Sequence, residues 1–170
     1  GSKKNSMVWS SHKTRGLQFF CERIFPKIKE RIKDFSLSVC SYINDNQDEY
    51  LLRDGIEVLQ NVPKNQLIDL QKESKIWVYP NIATEGRERP KETFCITAME
   101  NAAALNALIM PNNDSFSDIF EGYRGLININ GTDRTITDFI KHSIECLSDE
   151  DYRIELAIEA KNKINKYTWE

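Results

Sequence analysis

The feature that most limits how this chain can fold is a repeated change of period. Short runs of apolar and β-branched residues alternate with longer stretches whose apolar residues recur every three or four positions. Runs of the first kind suit strands, and a period of 3.6 suits a helix. Met7-Val8-Trp9 is the first strand-like run. A polar turn from Ser10 to Gly16 follows, and then Leu17, Phe20, Cys21, Ile24, Ile28 and Ile32 mark one buried helical face. Pro26 interrupts that face, and its missing N–H predicts a kink or a division into two helices. Phe35 to Tyr42, Ile56 to Leu59, Ile76 to Pro80, Leu108 to Pro111 and Gly125 to Ile129 read as five further strands. Between them, Ile43 to Gly55 has room for a turn or two of helix, and Pro63 suits the first position of a helix carrying Leu67, Ile68 and Leu70. The alanine-rich stretch from Phe94 is helix-compatible, and Asn112 to Glu121 reads as a polar connection. Two helices close the chain, one with Ile136, Ile140, Ile144 and Leu147 inward, the other with Tyr152, Leu156, Ala160, Ile164 and Tyr167.

Strands alternating with helices at this spacing predict a mainly parallel sheet of about six strands covered on both faces, a Rossmann-like three-layer α/β/α domain. In such sheets ligands gather outside the carboxyl ends of the strands, where strand order reverses. The loops of interest are therefore Ser10 to Gly16, Gln60 to Val62, and Asn81 to Phe94.

The chain has 170 residues, 40% of them hydrophobic, enough for one substantial core. Its formal charge of −3 supplies no large positive field, so nucleic acid is not the expected partner and any anion must be caught locally. Cys21, Cys40, Cys95 and Cys146 are widely spaced, and with His12 and His142 they form no zinc spacing, so no metal site is expected. Reduced thiols and the lack of a membrane-length apolar run predict a cytoplasmic protein with no transmembrane segment. Residues 1–6, starting Gly1-Ser2-Lys3-Lys4, read as a cloning scar or disordered start before a domain spanning 7–170.

In the first loop, Arg15 and Gly16 stand where a helix begins, with Ser10, Ser11, Lys13 and Thr14 as further donors. A helix amino terminus favours a phosphate, arginine grips one with paired hydrogen bonds, and glycine allows close approach. A solvated basic loop with a helix cap fits the same residues equally well. In the later loop, Glu92 and Glu100 straddle a loop-to-helix junction. Carboxylates accept hydrogen bonds from sugar hydroxyls, and the amides of 93 to 96 suit a phosphate. Alternatively, Thr97 and Glu100 form a capping box, and Glu92 is a solvated charge near a helix amino end. Cys95 reads as a small buried filler, and Trp9, Trp77 and most phenylalanines as core.

The segment Glu92-Thr93-Phe94-Cys95-Ile96-Thr97-Ala98-Met99-Glu100 resembles the E-x7-E signature of retaining glycosyltransferases built from two Rossmann domains (GT-B). Val8-Trp9-Ser10-Ser11 with Arg15-Gly16-Leu17 is similar to the first strand and phosphate loop of that group's C-terminal domain. Ile76 to Pro80 resembles the strand before the signature, and Tyr167-Thr168-Trp169-Glu170 the last helix before the chain returns to the N-terminal domain. The resemblance covers nearly the whole chain. It implies a donor domain for a nucleoside-diphosphate sugar, with uridine favoured over guanosine, and hexosyl or deoxyhexosyl transfer with retention. The acceptor, a glycan or another molecule, would bind an N-terminal domain outside this chain. It further implies that Arg15 neutralises the diphosphate, Glu92 holds sugar hydroxyls and Glu100 the ribose. Ser10, Ser11, Gly16, Thr93, Phe94, Cys95 and Ile96 would line phosphate and sugar, and Asn61 with Gln60 and Val62 would touch the base. No metal or cofactor is implied. Relatives commonly place a lysine after the second strand, but Ile43 to Gly55 has none, which leaves Arg53 or Lys13 as the substitute. Leu105 and Ala107 stand where relatives tend to have glycine and proline. The missing lysine also suits a non-catalytic interaction module of the same fold, and a sugar-nucleotide epimerase or a phosphorylase shares the architecture.

Overall fold

The computed structural model describes residues 2–41, 48–83 and 86–167. Ile43–Gln47 of the expected short helical connection, Tyr42 of the second strand and Thr168 to Glu170 lie outside them. Six strands appear where six were expected: β1 (Ser6–Trp9), β2 (Ser36–Ser41), β3 (Ile56–Gln60), β4 (Ile76–Val78), β5 (Ala107–Pro111) and β6 (Leu126–Ile127). All pair in parallel, in two three-stranded sheets ordered β1-β2-β3 and β4-β5-β6. β1 and β4 lie side by side, joined at their amino ends by a Lys4–Ser74 bridge and a bond from the Lys75 amide to the Ser6 carbonyl (3.2 Å). The strands thus run in the spatial order 3-2-1-4-5-6, and connectivity reverses between β1 and β4. That junction is where a doubly wound sheet opens a crevice.

The helices are α1 (Leu17–Phe19), α2 (Phe25–Arg31), α3 (Lys64–Glu73), α4 (Ile96–Ala103), α5 (Asp114–Ile119), α6 (Thr132–Ser148) and α7 (Glu150–Ile164). α6 packs with α2, and α4 packs with α3 and α7, giving two helical layers. The core between them is aromatic: Trp77 stacks on Tyr79 at 4.8 Å, and Phe116 meets Tyr79 edge-on at 5.9 Å. Met7, Phe20, Ile24, Val78 and Ile109 are fully enclosed around these rings.

The first helix is divided just ahead of Pro26, as the proline predicted. A π-helical turn, Phe20–Ile24, joins α1 to α2, placing Pro26 in the first turn of α2 where its absent N–H is least disruptive. The connection Asn112 to Glu121, read as polar with no helix assigned, contains α5, which buries Phe116 and Ile119. Pro63 is the residue before α3 rather than its first, and α4 begins at Ile96. Residues 3–6, read as a disordered start, carry part of the fold. The Lys3 ammonium lies 2.8 to 2.9 Å from four acceptors, the carbonyls of Lys72, Ser74 and Ala104 and Asn106 Oδ1, which share its three N–H groups, and β1 starts at Ser6.

Candidate functional site

The β1–α1 loop is shaped by two local devices. Trp9 Nε1 donates to the Ser11 carbonyl at 2.9 Å, and the His12 ring accepts from the Thr14 amide at 3.3 Å to cap a 3₁₀ turn, Lys13–Arg15. Gly16 then takes φ +109°, and a Cβ there would lie 3.1 Å from the Pro80 carbonyl oxygen. Only glycine meets both demands, so the loop after β1 seats directly on the end of β4.

Three bonds stitch this loop to the one after β4. Arg87 Nη2 donates to the Thr14 carbonyl (3.0 Å), and Arg15 Nη1 donates to the Lys91 carbonyl (3.2 Å) and to Glu92 Oε2 (3.3 Å). Glu92 Oε2 also accepts from the Tyr79 hydroxyl at 3.1 Å. The Glu92 side chain is 10% exposed and that of Arg15 30%. Burial, with Cys95 and Glu92 close by, pushes the Tyr79 phenol well above its ordinary range, so Tyr79 is a fixed proton donor to the carboxylate. Both side-chain contacts to the Glu92 carboxylate fall on one oxygen, Oε2.

The backbone of Glu92 is held from behind. Its amide donates to Asp114 Oδ2 at 3.0 Å, and its carbonyl accepts from the Ser115 amide at 3.2 Å. Asp114 is gripped in turn by both terminal nitrogens of Arg89, which holds its carboxyl below the ordinary aspartate range. Asn81 Nδ2 fixes the loop's other end through the Pro90 carbonyl (2.9 Å).

Glu100 stands apart from the Arg15–Glu92 pair. It lies on α4, where Lys64 and, at 3.5 Å, Gln71 of α3 bond its carboxylate. The capping-box alternative is not realised. Cys95 is the residue before α4, Thr97 is inside the helix, and no side chain caps its amino end. Instead Glu100 forms a wall of a groove of about 490 Å³ with Phe94, Ile96, Met99, Ile164 and Tyr167. Phe94 meets Tyr167 edge-on at 5.9 Å and is exposed. Asn61 follows β3 with φ +51°, a left-handed turn that asparagine tolerates, and Lys64 carries that turn over to Glu100. Thr93 is exposed, and Cys95 is buried. Ser10 is half-buried, with a hydroxyl that finds no hydrogen-bond partner among the described residues.

Of the two cations expected to stand in for the missing lysine, Arg53 is excluded by topology. It precedes β3, so it lies at the amino edge of a parallel sheet, beside Lys29 and Asp54 and opposite the crevice. Lys13 is in the loop and pairs with Asp48 at 3.6 Å. Sequence reasoning passed over Arg87, whose guanidinium lies 3.4 Å from where a Gly16 Cβ would be and lines a hollow of about 200 Å³ with Lys13 and Thr14. Burial lowers its pKa from the ordinary arginine value, and its Nη1 is enclosed without a partner among the described residues. Tyr79, Arg89 and Asp114 were also passed over. Among the described residues, no group of three or more His, Cys, Asp or Glu is placed to hold a metal ion, and no helix is long and apolar enough to cross a membrane.

No protein family's sequence profile matches this chain, and no curated protein matches it. Solved structures do. The C-terminal domain of a group 1 glycosyl transferase, LpcC from Francisella tularensis, superposes with a TM-score of 0.66 at 16% identity, over 95% of this chain and 83% of that one. The pneumococcal O-GlcNAc transferase GtfA, solved with UDP and GlcNAc, gives 0.64 at 14% identity over 98% of this chain. A point mutant of S. aureus TarM, solved with fondaparinux, alpha-GlcNAc-glycerol and UDP, gives 0.71 at 9% identity, also over 98%. This chain spans 35% of GtfA and 33% of TarM, about a third of each. The fold is therefore the α/β Rossmann-like fold of a GT-B C-terminal domain.

Proposed function

We propose that this chain is the donor-binding half of a glycosyltransferase that takes a uridine diphosphate sugar. The observation that carries the reading is the Arg15–Glu92 pair at the β1/β4 reversal, a cation and a carboxylate 3.3 Å apart at the carboxyl edge of the sheet. Arg15 and Arg87, with the start of α1, supply the positive charge for the diphosphate, Arg87 serving where relatives use lysine. Glu92 Oε1 accepts from hydroxyls of the sugar. Glu100 and the groove beside it take the ribose, and the Asn61 turn faces the base. Ser10, Ser11, Gly16 and residues 93 to 96 line the phosphates and sugar.

The diphosphate leaves as an anion stabilised by fixed cations and amides, so the chemistry expected of this site is metal-independent. Glu92 is committed to Arg15 and Tyr79, which suits a sugar ligand better than a nucleophile, and transfer with retention follows from the signature rather than from a covalent intermediate on this chain. The acceptor binds a domain that this chain does not contain, so the chain alone is expected to bind donor and transfer poorly. The complexes of GtfA and TarM with UDP support a uridine nucleotide.

Titration calorimetry tests this. The chain is expected to bind UDP and UDP-sugars. Arg15→Ala, which removes a charged hydrogen-bonding partner of the diphosphate, is expected to weaken both by about 2 kcal/mol, roughly 30-fold. Glu92→Gln weakens only the sugar-bearing ligands. Absence of heat with UDP- and GDP-sugars alike contradicts the proposal.

A further inference from the structure

Resting on the donor-site reading, we propose that Asp114 is a positioning residue that sets the Glu92 carboxylate for the sugar half of the donor, with Arg89 as its anchor. Asp114 does not face the crevice contacts of Arg15 or Tyr79. It acts one layer behind, through the Glu92 main chain: Oδ2 accepts from the Glu92 amide at 3.0 Å, while the next residue's amide, Ser115, donates to the Glu92 carbonyl at 3.2 Å. The peptide groups on both sides of the Glu92 Cα are thereby fixed to a single turn of chain, which limits where the side chain can swing. With the backbone so held, Arg15 and Tyr79 meet the same carboxylate oxygen, Oε2.

Two observations separate this from an ordinary surface ion pair. The Arg89 and Asp114 side chains are only 18% and 14% exposed, and the guanidinium meets both carboxylate oxygens in a fork. Asp114 also adopts φ +48°, a left-handed conformation at the first residue of α5. An aspartate tolerates this region better than most residues but is still less suited to it than glycine. Holding a charged residue there makes sense if its carboxylate has work that glycine lacks. Groups that orient a metal ligand from behind are worth 10- to 100-fold in affinity, and a carboxylate that ligates hydroxyls is expected at the lower end.

The test uses Asp114→Asn, which keeps the side-chain shape and tolerates the same φ but gives up the charge that Arg89 and the Glu92 amide recognise. Calorimetry is expected to show UDP-glucose or UDP-N-acetylglucosamine bound about 10-fold more weakly while UDP stays within about 2-fold of the parent. A merely structural residue would weaken nucleotide and nucleotide-sugar together, and that equal loss overturns the inference, as does no change in either. Asp114→Gly relieves the backbone and removes the carboxylate. It is expected to show the same split, which guards against a folding artefact.

A second, ligand-free readout keeps the two ideas separable. Arg15→Lys should move the Glu92 side-chain carboxyl ¹³C resonance in the parent chain, and by less than half as much in the Asp114→Asn background. If the parent binds no nucleotide-sugar, the donor reading fails and this coupling alone decides the role of Asp114. An undiminished shift overturns it.

Discussion

An arginine and a glutamate that meet in a half-enclosed crevice already satisfy part of each other, so a ligand must replace their contact with something better. A diphosphate offers Arg15 more negative charge than Glu92 does, and a sugar offers Glu92 hydroxyl donors, so the two exchanges are separable. The Arg89–Asp114 grip has its own pH signature. Because the folded-state carboxyl is held below its usual value, its stabilisation is full above the aspartate range and is lost as pH falls below about 4. Melting curves between pH 7 and pH 3 should therefore show a larger fall for the parent than for Asp114→Asn, and parallel curves would contradict the assignment. The cysteines give a second check. Burial pushes Cys21, Cys95 and Cys146 up to about 12 and Cys40 up to about 11, so none is a thiolate at neutral pH. Ellman's reagent should react slowly with the native chain and rapidly with four thiols in denaturant. At this scale Arg15 and Glu92 stood out through the family resemblance, since the loop chemistry alone fitted a capped basic turn and a solvated charge as well. Tyr79, Arg87, Arg89 and Asp114 were not legible, since their roles come from strands and loops far apart in the chain. Glu100 was ambiguous for a local reason: Thr97 sits at capping-box spacing, and only the true start of α4 shows that no box forms.

Among the elements, α4 ends in a motif whose chemistry disagrees with its sequence. The Leu105 amide bonds the Ala102 carbonyl and the Asn106 amide the Asn101 carbonyl, a Schellman turn with Leu105 at φ +60°. Glycine suits this conformation best, and leucine leaves a branched side chain in left-handed backbone. Leu105→Gly should stabilise the chain by about 1 kcal/mol, raising Tm by about 3 °C in calorimetry, whereas an unchanged or lower Tm would deny that strain. Gly125 makes the opposite case. A Cβ there would fall 2.0 Å from the Leu108 carbonyl oxygen, so Gly125→Ala should force β5 and β6 apart and lower Tm by about 10 °C, for a cost of about 3 kcal/mol. A Tm within 2 °C of the parent, roughly the effect of less than 1 kcal/mol, would contradict that close approach. The strands were legible because buried parallel strands read as apolar runs between turns. α5 was missed although Phe116, Ile119 and Phe120 stand at helical spacing, because Asn112, Asn113, Asp114 and Ser115 look like a turn. The π turn could not be foreseen, since proline announces a disturbance without saying how the backbone absorbs it.

At the level of the molecule, the sheet order places its reversal between β1 and β4, and every loop in the proposed site follows a strand at the same edge. That the loops of interest follow strands was legible from the alternation of elements and right-handed crossovers, but the place of the reversal was not, since more than one strand order obeys the same rule. The identity of the ligand was not, because folds of this type serve many chemistries and the distinguishing groups are few. The chain spans about a third of GtfA and TarM, and on the donor-site proposal it should bind donor without the remainder of such a protein. The most direct measurement is an ¹⁵N chemical-shift map of the chain titrated with UDP. The account predicts that amides of residues 10 to 16, 60 to 62 and 92 to 96 shift together, with one shared saturation curve. Shifts confined to other surfaces, or none at millimolar UDP, would contradict it.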